Sequence, residues 1–191
     1  VTFQTIAEQW GRPEVLERYL ARSEARYVPM GWRINWRRED YVKKSGSLEP
    51  RAAFVARLAG ALNDAGVGLL AGTDAPTIPG VIPGFSLHDD LDRLVAAGFS
   101  RFQALSTATR MPGEYIRRAI HDAPSFGQVQ PGFRADLILS NQNPLEDLST
   151  LRRPEGVMSH GRWYDRAQRQ ALLDDVLADY SKAAAGPKPL R

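Results

Sequence analysis

Asp74 is the residue best placed by its neighbours to do chemistry. It ends the stretch Val67-Gly68-Leu69-Leu70-Ala71-Gly72-Thr73-Asp74-Ala75-Pro76, a short apolar run that closes in small residues and one carboxylate. A carboxylate at such a tip can take a proton and return it. In a (β/α)8 barrel, a polar residue at the C-terminal end of a strand lies on the active-site face. The competing reading is that Thr73-Asp74 only caps the next turn.

The other reactive side chains are few. The chain has three histidines, His88, His121 and His160, and no cysteine, so it holds neither a thiolate site nor a disulfide framework. His88 sits early in the helix expected after the Pro/Gly loop, where it can face a substrate or serve as a solvated residue beside Asp89 and Asp90. His121 reads as a surface residue and His160 as part of a hairpin turn. Ser86 lacks the Gly-x-Ser-x-Gly surroundings of a nucleophile and reads as a helix cap.

These residues need elements to hold them. Pro50 to Ala65 has a helical pattern, with Phe54, Leu58 and Leu62 every four residues and Gly66 as its stop. A helix, a Gly, an apolar run and a polar tip form the rhythm of a parallel sheet buried on both faces. The loop from Ala75 to Gly84 is rich in Pro and Gly, and after a barrel strand it would wall a pocket. Ser86-Leu87-His88-Asp89 and Ser100 with Gln103 read as capping boxes that open two helices. Met111-Pro112-Gly113 is expected to interrupt the second before a short helix over Glu114 to Ile120. Then the period shifts to two. Phe126 to Gln130 and Arg134 to Ser140 read as strands around Pro131-Gly132, and Gly156 to Tyr164 as a hairpin around His160-Gly161. Asp165 caps a last helix, ending at Ala183-Ala184-Ala185-Gly186-Pro187 before a basic, loose tail. Near the start, Pro13 to Arg26 reads as helix.

Composition narrows the function classes. The chain has 191 residues, 43% hydrophobic and 25% charged, with a net charge of +3, ordinary values for a globular protein. Trp32 to Lys44 mixes aromatics with cations, as nucleic-acid surfaces do. The reading preferred is a solvated or connecting segment, with no nucleic-acid partner. No apolar run approaches the roughly 20 residues of a membrane span, so no membrane partner is expected. Val1-Thr2-Phe3 opens without a charged and apolar leader and reads as the middle of a longer sequence. The compartment stays open.

Ala71-Gly72-Thr73-Asp74-Ala75, Pro83-Gly84-Phe85-Ser86-Leu87-His88, Ala104-Leu105-Ser106-Thr107-Ala108-Thr109, Gly127 to Leu137 with its Pro131-Gly132-Phe133-Arg134-Ala135-Asp136, Asn143-Pro144-Leu145, and Gly161-Arg162-Trp163 follow one another in this order. Together they resemble the C-terminal half of the metal-dependent amidohydrolase superfamily, among its imidazolonepropionase-like and prolidase-like members. The match is good over about residues 50 to 165 and poor before them.

The resemblance implies an α/β fold: the C-terminal part of a (β/α)8 barrel over 1–125, strands of a composite β-sandwich over 126–165, and a helix and tail over 166–191. It implies hydrolysis of a small-molecule amide or dipeptide-like C–N bond. Asp74 would bind a divalent metal, zinc above all, in a site of one or two ions, and would handle the proton of the attacking water. His88 is the substrate-side candidate, and Asp136 is structural. The family's other ligands, a His-x-His among them, have no match here, and one carboxylate cannot make a catalytic zinc site, which takes three protein ligands. The expected partner is therefore the missing N-terminal half of the barrel. The alternative is a catalytically incomplete or metal-free structural remnant. A homo-oligomer is compatible with either.

Overall fold

The computed structural model describes residues 1–121 and 124–184. Among the described residues it contains eight α-helices, three short 3-10 turns and one three-stranded sheet. None of the helices is long and apolar enough to cross a membrane.

The first fifty residues fold as a helical unit. Helices α1 (Thr2–Gln9), α2 (Pro13–Leu20) and α3 (Met30–Arg38) alternate with 3-10 turns at Ser23–Tyr27 and Asp40–Lys43. Pro13 opens α2, where its missing N–H costs nothing, and Val15 and Leu16 turn inward. Trp36 departs from the expectation of a solvated basic stretch. It is fully buried with Ala25, Val28 and Ile82, and Leu20 and Phe85 pack around them.

Helix α4 (Glu49–Asp64) ends in a Schellman arrangement, with Val67 N–H on the Leu62 carbonyl and Gly66 N–H on that of Asn63, both at 2.9 Å. Its small face is the one buried. Ala52 and Gly60 pack inward, and Gly60 backs onto the Ala97 carbonyl so closely that a Cβ would sit 2.5 Å from it. The apolar stripe is left outside, with Phe54 57% and Leu58 45% exposed.

The segment 67–74 corrects the expectation of a buried parallel strand. It belongs to no strand, and Val67 and Leu70 are about half exposed, at 47% and 49%. No strand lies beside it among the described residues, so the α/β character expected of a barrel is present here only as helices and one small antiparallel sheet.

The Pro/Gly loop that follows is a plug rather than a wall. Pro79, Val81 and Ile82 are buried, and Gly80, at φ +87°, lies against the Tyr19 ring where a Cβ would be 2.5 Å away. Tyr19 is held in turn by a hydrogen bond to Glu8, which also pairs with Arg93 at 2.7 Å. Burial and that carboxylate push the Tyr19 hydroxyl up to about 12.

Helix α5 (Ser86–Ala96) opens without a side-chain cap. The Ser86 hydroxyl accepts Ile82 N–H at 2.8 Å instead, so the expected capping box does not form and the serine ties loop to helix. Ser100 and Gln103 do form their capping box on α6 (Arg101–Ala108). The break before α7 (Arg110–Ala119) falls at Thr109, not at Pro112. Pro112 sits in the first turn, where no N–H is needed. Leu91, Phe99, Ala104 and Leu148 form the second core, beneath the 3-10 turn Leu148–Arg152.

The sheet has the order β1 (Leu137–Leu139), β2 (Gly156–Ser159), β3 (Arg162–Tyr164), all antiparallel, with Ile138 opposite Val157 and Ser159 opposite Arg162. His160 and Gly161 form the two-residue turn, with φ 50° and 79°, the left-handed pair that matches strand twist. The expected strand over Phe126 to Gln130 is absent. That segment is drawn away from the sheet, since Gly113 and Gly127 back directly onto the carbonyls of Phe126 and Thr109. Helix α8 (Arg166–Ala184) opens on a reciprocal Asp165–Gln168 cap and reaches the first unit through Tyr180, whose hydroxyl donates to the Tyr27 carbonyl at 3.3 Å. The expected stop at residues 185–187 and the basic tail lie outside the described residues.

Gly80 and Gly84 separate two costs of a side chain in this loop. Both have positive φ, but a Cβ at Gly84 meets nothing within 4 Å. Gly84→Ala is expected to cost about 1–2 kcal/mol from the left-handed backbone alone. Gly80→Ala adds a clash with Tyr19, for a total of about 2–5 kcal/mol. Urea unfolding of the two variants checks the order.

Candidate functional site around Asp74

Three elements hold the main chain just before Asp74. Ala71 N–H donates to the Thr107 carbonyl of α6 at 3.0 Å, and Gly72 N–H to Asp90 Oδ2 of α5 at 3.2 Å. The Thr73 carbonyl accepts the Thr2 hydroxyl of α1 at 2.8 Å. Asp90 is 7% exposed, and its other oxygen meets the Val1 nitrogen at 2.5 Å.

Asp74 itself stands at φ 52°, a left-handed conformation that Asp tolerates better than most residues but that still marks a locally costly backbone. Its main-chain carbonyl accepts Thr77 N–H at 3.1 Å and the Thr77 hydroxyl as well. The carboxylate is exposed and makes no hydrogen bond or ion pair among the described residues. An aspartate that caps a turn spends its side chain on main-chain N–H groups. Here the main chain closes the turn and the carboxylate is left over. Its availability can accept a proton or bind a cation.

His88 lies elsewhere. On a helix turning 100° per residue, it is about 160° around α5 from Asp90, the residue that grips the segment before Asp74. It stands beside an ion-pair cluster. Asp89 bonds Arg22 and Arg152, both at 3.0 Å, and Arg152 also bonds Asp92 at 2.8 Å. Burial and then the Arg152 cation lower the His88 pKa, against the pull of Asp89 and Asp92. Burial pulls the Asp89 carboxyl upward, but Arg22 and Arg152 outweigh it and hold it low. The structure does not bring His88 and Asp74 together through any hydrogen bond.

Asp136 is engaged in structure. It accepts His160 N–H at 2.8 Å and pairs with Arg134, and these bonds keep its carboxyl below the usual range, the His160 amide foremost. It thereby locks the β2–β3 turn. His160 is exposed in that turn, and His121 is exposed beyond α7. A groove of about 660 Å³ runs between α6 and the sheet, lined by Leu105, Phe126, Val129, Leu137, Val157 and His160 among others. Neither Asp74 nor His88 lines it.

Among the described residues, no group of three or more His, Asp or Glu side chains is gathered to hold a metal ion. Asp74 alone does not meet the three-ligand need of a catalytic zinc. The described residues therefore do not fit a complete metal site.

Two residues important to this geometry were missed by sequence reasoning. Asp90 looked like one more solvated acid beside His88. Its signal was the four-residue spacing from Ser86, which puts two polar side chains on one face of α5; both are buried. Trp36 carried no signal of this kind.

No family model matches the sequence, and no curated protein matches it. Chains of solved structures do, these two among them. One is "AH, Bottromycin amidohydrolase", aligned over 94% of this chain and 39% of its own, with 24% identity and a TM-score of 0.69. The chain shares its fold with part of that protein. The other is a Xaa-Pro dipeptidase with methionine bound in its active site, aligned over 58% of this chain and 25% of its own, with 28% identity and a TM-score of 0.48. The chain thus spans well under half the length of either.

The His88 environment makes a pH prediction. A histidine whose folded pKa lies below its ordinary 6.5 binds its proton more weakly in the fold than in the unfolded chain. Stability is then greatest above that ordinary value and is lost as pH falls through the folded one. The urea midpoint is expected to drop between about pH 7.5 and pH 5, and His88→Gln to flatten part of that drop. Denaturation curves of both proteins across that range check it.

Proposed function

We propose that this chain is the C-terminal portion of a metal-dependent hydrolase of amide C–N bonds, acting on a small amide or dipeptide-like substrate. The observation that carries the reading is Asp74: a carboxylate left unbonded on a main chain that three helices hold in place. The fold shared with a bottromycin amidohydrolase supports it.

In this reading Asp74 accepts a proton from the attacking water. The water oxygen adds to the amide carbonyl carbon, the C–N bond breaks, and Asp74 returns the proton to the departing nitrogen. One carboxylate serves both steps. The donors for a zinc site would come from outside this chain, and so would the other half of a barrel. His88 receives no role in the chemistry.

The main chain around 67–72 supports the reading as a portion. The amides of 68–70 and the carbonyls of 67–72 make no hydrogen bond among the described residues. A barrel strand without its neighbours would present such groups, because buried strands pair on both sides. The uncovered Phe54 and Leu58 of α4, with Val67 and Leu70, are the apolar surface that neighbouring units would bury. Residues 1–125 then supply barrel segments, 126–165 sandwich strands and 166–191 the last helix and tail. The reading as a metal-free remnant draws on one observation, the lack of a gathered ligand set.

The test is made on the protein as its reading frame encodes it, with a panel of dipeptides and N-acyl amides and with zinc supplied. Asp74→Asn is expected to lower kcat by about 10²–10⁴. Asp136→Asn is expected to leave kcat within a few-fold and to cost about 1–2 kcal/mol of stability. Retention of kcat by Asp74→Asn would remove it from the chemistry, and a complete protein inert to the panel would favour the remnant.

The 191-residue chain alone is expected to bind zinc weakly and to turn over none of these amides. Calorimetric titration and the same assay check that. Turnover by the pure chain, abolished by a chelator, would overturn it.

A further inference from the structure

A proton-transfer group must be aimed, and the turn that carries Asp74 cannot aim itself. Its own hydrogen bonds run only between Asp74 and Thr77. The first bond that ties the far side of the turn to the body of the protein is made by Trp36. The Trp36 indole Nε1–H donates to the Pro76 carbonyl at 2.8 Å, two residues beyond Asp74. Trp36 has no exposed surface, and its ring is packed against Ala25, Val28 and Ile82. A donor so confined has one position, and the carbonyl it holds inherits that position. The near side of the turn is tied by Thr2 through the Thr73 carbonyl. Helices α1 and α3 thus hold the Asp74 turn from both ends.

We propose that Trp36 is a positioning residue for Asp74: its indole N–H, fixed by burial, holds the Pro76 carbonyl and with it the turn that presents the carboxylate. This rests on the reading of Asp74 as the proton-handling group. It gives the N-terminal helices, which lie outside the stretch whose sequence motifs resemble the amidohydrolase superfamily, a part in the chemistry. Helix α3 acts on the reaction through one hydrogen bond and α1 through another. A displacement of about 1 Å in a reacting group can cost about 10²-fold in rate.

The experiment replaces the indole N–H with minimal change of shape. Benzothienylalanine at position 36 keeps the fused ring and lacks the donor, and Trp36→Phe is the genetically simple companion. Leu16→Ala serves as control. Leu16 is 5% exposed in α2 and forms no hydrogen bond to the turn through its side chain, so it lowers stability without loosening Asp74. Kinetics are measured on the protein as its reading frame encodes it, well below each variant's Tm, with whichever amide of the panel the parent turns over. The exchange rate of the Thr77 amide, which donates to Asp74, is read in the same samples.

The expected result is a loss of about tenfold or more in kcat for both Trp36 variants, with KM changed less than about threefold and Thr77 exchange accelerated. Leu16→Ala should keep kcat near the parent. If both Trp36 variants keep kcat within about threefold while Asp74→Asn abolishes turnover, the positioning role is overturned and the Asp74 reading stands. If Asp74→Asn keeps kcat, the underlying reading has failed instead. If the panel contains no substrate, Thr77 exchange decides: unchanged exchange in the benzothienylalanine protein overturns the proposal.

Discussion

The fold depends on satisfying the main chain of one buried loop. Residues 79–82 run through the interior, and buried carbonyls and amides must find partners or cost stability. Gln9 donates to the Pro79 carbonyl at 2.9 Å, and Ser86 accepts the Ile82 amide at 2.8 Å. Tyr19 fills the space that Gly80 leaves. Each partner comes from a different helix, so α1, α2 and α5 are brought to one place by a stretch with no regular structure of its own. Pro restricts that stretch, which lowers the entropy lost in ordering it, and Gly lets it turn.

Helix α5 distributes this order to the rest of the molecule. Its Ser86–Asp90 face is polar and buried, and it holds the loop on one side and Gly72 on the other. Its Asp89–Asp92 face carries the paired charges of Arg22 and Arg152. Leu91 lies in the second core with Phe99 and Ala104. One helix thus separates a buried hydrogen-bonding surface from a half-exposed electrostatic one. The pH sensitivity of His88 belongs to the second surface, away from the hydrogen bonds that place Asp74.

Against these buried hydrogen bonds stands a surface with groups that lack partners among the described residues. Segment 67–72 has main-chain groups without partners among the described residues, and α4 turns its larger apolar side chains outward. The main chain that carries Asp74 is held by contacts inside the chain, whereas no group of three or more His, Asp or Glu side chains is gathered among the described residues.

Local chemistry by itself determined the features whose partners lie a few residues away. The Ser100–Gln103 box, the Asp165 cap, the stop of α4 at Gly66 and the His160-Gly161 turn all form as their residue types require. Tertiary structure decided the rest. Phe54 and Leu58 have helical spacing, yet spacing cannot say which face finds a neighbour, and close approach to Ala97 selected the face with Gly60. The 67–74 run has the composition of a strand, but a strand exists only through another strand's hydrogen bonds. Ser86 left its cap for a carbonyl and an amide folded back over it. Asp74 was legible as a candidate from its place in the sequence. What holds the backbone on either side of it is a set of bonds to residues 2, 36, 90 and 107, partners so distant in sequence that only the folded chain brings them together.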